Sequence, residues 1–277
     1  MNPSEINAAG PFSCGGADIA FSGSDGSIRY LREGTRVWVG GGAGTLAKFT
    51  YRSYSDADFS ETFAAEYTTS GDFMKQGMGS AKPADREWGA ALHQGFVQRS
   101  GSQCVAAMQL SVADATAHAV YGAPQQVTLQ YTVPGTDGAL VDIALIWQNK
   151  TATRLAESTW LSFVPVSTET AAATWSMDII GHAVSPLEVV SGGTHWVHAV
   201  SRGATFNTSS ATLRIEPLDT PLLSPGDTAH LLRYNDEQPD AVLGGMHFNL
   251  HNNLWGTAFP QWYGDDGLAR FQIFSDA

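Results

Sequence analysis

Apolar residues along this chain alternate with polar ones more often than they recur at helical spacing, and Gly, Pro, Ser and Asp interrupt the pattern at short intervals. The clearest case is the segment 126–133, followed by a Pro-Gly turn and a second segment over 140–148. One face of the second segment is apolar throughout and consists of Val141, Ile143, Leu145 and Trp147. The pattern predicts two antiparallel strands joined as a hairpin.

The same alternation predicts further strands over 36–39, 47–54, 105–112, 159–166, 174–180, 195–200, 213–216, 246–250 and 271–274. One short helix is expected over 56–67, where aromatic residues recur every four positions and Asp56 is the expected N-cap. No internal repeat or low-complexity segment divides the chain. We therefore predict an all-β fold, a large two-sheet antiparallel β-sandwich that forms one domain over residues 1–277.

Composition and charge exclude several classes of function. Hydrophobic residues make up 43% of the chain and charged residues 15%, which is typical of a folded protein. There are 27 acidic against 15 basic residues, for a net charge of −12, so we expect no nucleic-acid partner. No apolar run reaches the ~18 residues of a membrane span, and the first residues do not resemble a signal peptide. We expect a soluble protein with no membrane partner, whose compartment the sequence leaves open.

The two cysteines are far apart in the sequence. Cys14 and Cys104 have no CxxC spacing, which disfavours both a metal-thiolate site and a disulfide framework and leaves their pairing open. Gly40–Gly44 lacks the Lys and Ser/Thr of a phosphate-binding loop and is expected to be a turn. His247 and His251 would lie about 13 Å apart on a straight strand, too far to share one ion. We expect no metal and no cofactor.

The stretch 244–256 carries the most chemical information. If it is a strand, Met246, Phe248 and Leu250 face the core while polar side chains face the other way. Imidazoles and carboxamides match sugar hydroxyls as donors and acceptors, and the following aromatic rings can stack on pyranose rings. The predicted ligand-binding residues are His247, Asn249, His251, Asn253, Trp255, Trp262, Tyr263 and Arg270, with Phe259 as a further aromatic. In the alternative interpretation, the histidines satisfy buried backbone groups beneath a loop and the aromatics fill the rim of the sandwich.

Proton transfer requires an acid or base beside the ligand. The candidate catalytic residues are His247, His251, Tyr263 and Asp265. Asp266, Glu157, Glu216 and Asp219 are further acids, although such residues are more often a solvated loop acid, a turn residue or a cap than a catalyst. Arg270 is the candidate for neutralising a uronate carboxylate.

Several segments together resemble a known group of proteins. They are 12–28, Ala156-Glu157-Ser158-Thr159-Trp160-Leu161-Ser162-Phe163, Val184-Ser185-Pro186-Leu187, 218–226 and 247–263. They look like the C-terminal region of an uncharacterised microbial group whose longer members resemble glycoside hydrolase family 38, the α-mannosidases. The resemblance implies a galactose-mutarotase-like supersandwich. It also implies a partner, an N-terminal catalytic domain that is separate from this chain or missing from it and that carries the zinc and the catalytic aspartate.

Three functions follow from these observations. The first is a carbohydrate-binding or accessory β-sandwich that walls a glycan cleft, with a glycan or oligosaccharide as its partner. The alternative is a stand-alone carbohydrate-active enzyme, a glycoside hydrolase or polysaccharide lyase, with a His or Tyr base near 247–263. The third is a structural or subunit-interface module, in which the aromatics at 255–263 pack against another chain.

Overall fold

Two antiparallel β-sheets contain most of the regular structure in the computed structural model, which describes residues 4–5, 10–42, 44–67, 75, 77–135, 138–166, 173–239, 244–256 and 260–276. Within these ranges the first sheet has the strand order β1 (Ser4–Glu5), β8 (Ala91–Ser100), β9 (Gln103–Ser111), β10 (Gln126–Val133), β11 (Val141–Gln148), β20 (Gly267–Asp276), β17 (Thr212–Pro217), β16 (Ala204–Asn207), β13 (Thr174–Ile179) and β14 (His182–Val184). The second has the order β15 (His198–Ala199), β18 (Leu222–Pro225), β19 (Met246–Asn252), β12 (Glu157–Val164), β6 (Thr45–Ser53), β4 (Ile28–Glu33), β3 (Ala17–Phe21) and β2 (Phe12–Cys14), with β5 (Arg36–Val39) on β4 and β7 (Arg86–Gly89) on β6. The predicted all-β sandwich is confirmed.

The predicted hairpin is formed by β10 and β11. Its register pairs Leu129 with Leu145 and Tyr131 with Ile143, so the apolar faces of both strands lie on the same side. The segment predicted as a strand over 195–200 pairs only at His198–Ala199. Its Trp196 donates through Nε1 to Asn235 at 2.8 Å, which ties this part of the chain to a neighbouring loop.

The core lies between the sheets and joins β12, β19 and β20 directly. Phe163, Phe248 and Phe271 contact one another with ring centroids 5.3–5.6 Å apart, and all three are almost fully buried. Phe271 belongs to the first sheet and the other two belong to the second. This contact points Phe248 inward, so the neighbours of Phe248 on β19 face outward.

The predicted helix is present but begins with a different cap. Ser55 Oγ accepts from the Asp58 backbone N–H, and the Asp58 carboxylate accepts from the Ser55 backbone N–H at 2.7 Å. This reciprocal pair is a capping box, so Ser55 rather than Asp56 caps the helix. The segment continues as a π-helix over Asp58–Phe63 and ends as α1 (Ala64–Glu66).

Two further single helical turns, α2 (Met78–Ala81) and α3 (Ala115–Ala119), were not predicted. Both are too short to show a helical period in the sequence. No helix in the described ranges is long and apolar enough to cross a membrane.

The two cysteines form a disulfide bond. Cys14 lies at the end of β2 and Cys104 lies in β9, with 6.1 Å between their Cα atoms. The sequence left this pairing open, because only the sheets bring together two residues that lie 90 positions apart. The bond joins one sheet to the other at an end of the sandwich.

Ile180 occupies an unfavourable backbone conformation in the turn between β13 and β14. Its φ is +53°, and Gly181 follows at +81°, which together match a type I′ turn that favours Asn-Gly. The Ile180 side chain is 85% exposed and contributes little burial.

We expect Ile180→Asn to raise the free energy of unfolding by about 1 kcal/mol in urea denaturation. The control Val190→Asn, also at an exposed apolar position, is expected to change it by less than about 0.5 kcal/mol. A destabilised Ile180→Asn would contradict the strain argument.

Candidate functional site

The polar stretch predicted from the sequence lies on β19, between β18 and β12. The strand extends two residues beyond the predicted end, to Asn252. Its register with β12 shifts between His251 and Asn249, which leaves Leu250 as the extra residue of a β-bulge. The bulge divides the predicted wall, because side chains before and after it have different surroundings.

His247 is buried and bonded at both ring nitrogens. Its Nδ1 lies 2.8 Å from the Ser162 hydroxyl, and its Nε2 lies 2.8 Å from the Gly226 carbonyl oxygen. A carbonyl can only accept, so Nε2 carries the proton and the Ser162 hydroxyl donates to Nδ1. Burial lowers the pKa of His247, in keeping with a neutral ring. This residue satisfies a buried backbone group, as in the alternative interpretation of the sequence.

Asn249 and Asn253 are also buried and hold backbone in place. The Asn249 carboxamide donates to the Thr159 and His251 carbonyls and accepts from Asn252 Nδ2. Asn253 Oδ1 accepts from the Glu157 backbone N–H at 2.8 Å. Its Nδ2 donates to the carbonyls of Thr153, Leu155 and Gln261 at 2.9–3.2 Å. Asn253 therefore ties together three segments of chain that surround the adjacent pocket.

The aromatic pocket has a volume of about 340 Å³ and is lined by His251, Asn252, Asn253, Trp255, Pro260, Trp262 and Tyr263. Trp262 is 49% exposed, and the Arg154 guanidinium lies over its ring at 4.4 Å from the centroid. The Tyr263 ring lies 5.1 Å from the His251 imidazole, and its hydroxyl donates to the Asp266 carbonyl at 3.1 Å. The structure thus brings His251, Trp255, Trp262 and Tyr263 together, whereas Phe259 lies outside the described residues.

The titratable groups of the aromatic pocket are poor proton carriers at neutral pH. Burial lowers the pKa of His251 to about 3, and the positive charges of Lys150 and Lys75 act in the same direction. Burial, then the nearby carboxylates of Asp265 and Asp266, raises the pKa of Tyr263. A neutral imidazole with this pKa is a weak base, and a phenol with a raised pKa keeps its proton. Asp265 itself is exposed. At neutral pH these shifts keep the His251 imidazole uncharged and the Tyr263 hydroxyl protonated.

No family model matches the sequence, and a search of curated proteins found no relative. Solved structures do match. A galactose mutarotase-like protein from Clostridium acetobutylicum is similar over 100% of this chain and 98% of its own, with a TM-score of 0.54 and 10% identity. An α-mannosidase from Enterococcus faecalis V583 is similar with a TM-score of 0.57 and 8% identity, and this chain covers 30% of its length. The chain has a galactose mutarotase-like β-sandwich fold.

On this mutarotase-like sandwich, Arg270 lies apart from the aromatic pocket. It belongs to β20 of the first sheet and is bonded to the Asp219 carboxylate through its backbone N–H, Nε and Nη2 at 2.8–3.0 Å. The depression beside it is lined by residues such as Gln130 and Asp142 of the same sheet. Arg270 and Asp219 satisfy each other, and Glu216 likewise pairs with Arg214 and Arg202.

The sequence interpretation of Glu157 as a solvated or capping acid was wrong. Glu157 begins β12 and is fully buried; Lys150 Nζ donates to its two oxygens at 2.6 and 2.8 Å. The Tyr51 hydroxyl donates to Oε2 at 2.6 Å. Burial raises the pKa of Glu157 to about 7, against the opposing effect of Lys150. The sequence contains only four lysines, and two of them, Lys75 and Lys150, are buried and act on the charge of Glu157. This small number of lysines was the one signal in the sequence that pointed to the buried pair.

Lys75 does not line the aromatic pocket of the mutarotase-like sandwich but binds the backbone of the segments that form it. Its Nζ donates to the backbone carbonyls of Asn253 and Gln261, on two sides of the segment that carries Trp255. Burial lowers the pKa of Lys75 to about 8, with Glu157 opposing the shift and Arg154 adding to it. Lys75 and Asn253 therefore hold the same carbonyl of Gln261 and position the aromatic residues.

Proposed function

We propose that this chain is a single carbohydrate-binding β-sandwich that takes a glycan in the aromatic pocket and walls a glycan cleft as an accessory to a catalyst. The observation that carries the proposal is the exposed ring of Trp262 beside Trp255 and Tyr263. Flat aromatic faces accept the apolar face of a pyranose ring, and an exposed tryptophan is costly unless it has a partner.

Polar groups at the edge of the aromatic pocket complete the arrangement. His251 and Asn252 line it beside the aromatic rings and offer donors and acceptors for sugar hydroxyls. Pockets for small ligands combine a mostly apolar lining with few fixed polar groups. The backbone bonds of Asn253 and Lys75 fix that lining in advance, which reduces the ordering cost of binding.

An accessory role is supported by the charges around the pocket. Among the described residues that line the pocket there is no carboxylate, whereas glycoside hydrolysis ordinarily uses two. Glu157 has a pKa of about 7 but is fully buried against Lys150, without access to a ligand. The two similar solved structures, an α-mannosidase and a galactose mutarotase-like protein, have carbohydrate-related names. This chain covers 30% of the α-mannosidase, which fits a role beside a separate catalytic domain.

The test is a glycan screen of the purified chain that records binding and product formation together. We expect binding without product, and we expect Trp262→Ala to weaken it by about tenfold or more, because the stacking face is lost. Leu268→Ala is the matched control, an equally exposed apolar residue on the first sheet, and is expected to change affinity less than twofold.

Other results would overturn the proposal. Product formation that is lost in His251→Ala would identify an enzyme that uses this pocket. In a second such result, the purified chain binds no glycan although a cooperative unfolding transition shows that it is folded. That result would contradict carbohydrate binding by the isolated chain.

A further inference from the structure

Arg154 is an exposed residue that lies beside the aromatic pocket. Its guanidinium stacks on Trp262, whose ring lines the pocket. The backbone on both sides of Arg154 is held by Asn253, which donates to the carbonyls of Thr153 and Leu155. The arginine is therefore anchored to the pocket through its backbone and through its ring contact.

The guanidinium of Arg154 has no internal partner for its charge. Six other arginines pair with carboxylates, whereas Arg36 and Arg99, like Arg154, lie over aromatic rings; the six are Arg32, Arg52, Arg202, Arg214, Arg233 and Arg270. Within the described ranges Arg154 has neither an ion pair nor a hydrogen bond, although the chain has a net charge of −12. A stacked guanidinium keeps its edge N–H groups available, and their fork matches the two oxygens of a carboxylate.

The neighbouring charges do not cancel Arg154. Lys75 adds a positive charge behind the pocket wall, whereas Lys150 is balanced by Glu157. The two acids near Tyr263, Asp265 and Asp266, form no ion pair with Arg154 within the described ranges, and Asp266 Oδ1 accepts from the Asn149 backbone N–H. A cationic ligand is disfavoured, because one ring face of Trp262 already holds a guanidinium.

We infer that the glycan bound by this pocket carries a carboxylate, as in a uronic or sialic acid residue, and that Arg154 recognises this carboxylate while the pyranose ring packs on the aromatic residues. The inference rests on the proposed function and names its ligand class. It assigns to Arg154 the recognition of a ligand carboxylate, which the sequence suggested for Arg270. Arg270 already pairs with the Asp219 carboxylate.

The experiment compares three probes on the wild-type chain: oligosaccharides that end in glucuronate, in N-acetylneuraminate or in glucose but are otherwise matched. We expect one acidic probe to bind about tenfold more tightly than the glucose probe, with affinity that falls as salt rises. Preference for glucuronate or for N-acetylneuraminate identifies the source of the carboxylate. Tightest binding of the glucose probe would overturn the inference and leave the proposed function standing, whereas no binding of any probe would overturn both.

Variants separate recognition from packing. Arg154→Gln is expected to reduce binding of the acidic probe about tenfold and of the glucose probe less than twofold, and Arg154→Lys is expected to restore only part of the loss. Arg99→Gln is the matched control, because the Arg99 guanidinium also lies over an aromatic ring. Its Cζ atom is 5.2 Å from the centroid of the Phe12 ring. Equal losses for acidic and neutral probes in Arg154→Gln would show that Arg154 only supports Trp262, and would overturn the inference.

Discussion

Lys150→Met is expected to lower the free energy of unfolding by about 3–5 kcal/mol at pH 8, which is the usual cost of leaving a buried charge without its partner. Lys150 and Glu157 are both almost completely buried, and the two carboxylate oxygens depend on Lys150 Nζ. Among the described residues, Tyr51 alone would remain as a hydrogen-bond donor to the Glu157 carboxylate. Urea denaturation of the variant and the wild-type chain measures the difference.

The deficit of Lys150→Met is expected to shrink on acidification. The pKa of Glu157 is raised in the folded chain to about 7, above its unfolded value, so its contribution to stability is most favourable below the unfolded pKa and is lost as the pH rises towards 7. Without Lys150 the folded pKa rises further, so at pH 5 the variant holds a neutral carboxyl. We expect Lys150→Met to lower the free energy of unfolding at pH 5 by about half as much as it does at pH 8.

Two controls test this interpretation. Lys48→Met, at an exposed lysine on β6, is expected to change stability by less than about 0.5 kcal/mol. Combining Lys150→Met with Glu157→Gln removes both charges and is expected to recover part of the loss. A loss of less than about 1 kcal/mol in Lys150→Met at pH 8, or a deficit that grows towards pH 5, would contradict the role of the ion pair.

Replacing both Cys14 and Cys104 by alanine is expected to lower the free energy of unfolding by about 4 kcal/mol, because the disulfide closes a loop of 90 residues in the unfolded chain. The bond also joins β2 to β9 and therefore one sheet to the other. Denaturant unfolding under non-reducing conditions measures the change.

Reduction provides the control for the disulfide. A reducing agent is expected to bring the wild-type chain down to the stability of the double variant and to leave the variant unchanged. Two free thiols titrated in the denatured, unreduced wild-type protein would show that the bond is absent.

The local pattern of the chain was enough to predict many of the strands and the class of fold, but it did not predict others such as β3, β4 and β8. Alternation at Val141, Ile143, Leu145 and Trp147 requires only neighbouring positions, since a strand turns successive side chains to opposite faces. The same rule placed Phe248 in the core and His247 and Asn249 on the other face. It failed on the extent of 195–200, where loop contacts decided the outcome.

The candidate site could be predicted only in part. The cluster Trp255, Trp262 and Tyr263 is close in sequence, so its chemistry was visible in the sequence. The surroundings of His247 were not visible, because Ser162 on β12 and Gly226, which follows β18, contact it from distant parts of the chain. Whether a polar side chain meets a ligand or a backbone carbonyl depends on what covers it.

By itself, therefore, the sequence determined many of the segments that become strands, which of their faces are apolar, and which aromatic residues gather near 255–263. Only the tertiary structure decided that Cys14 meets Cys104, that Glu157 is enclosed with Lys150, and that Arg154 stacks on Trp262. The physical reason is one of range: the side-chain period of a strand is a local property, whereas these contacts depend on strand order and register across two sheets.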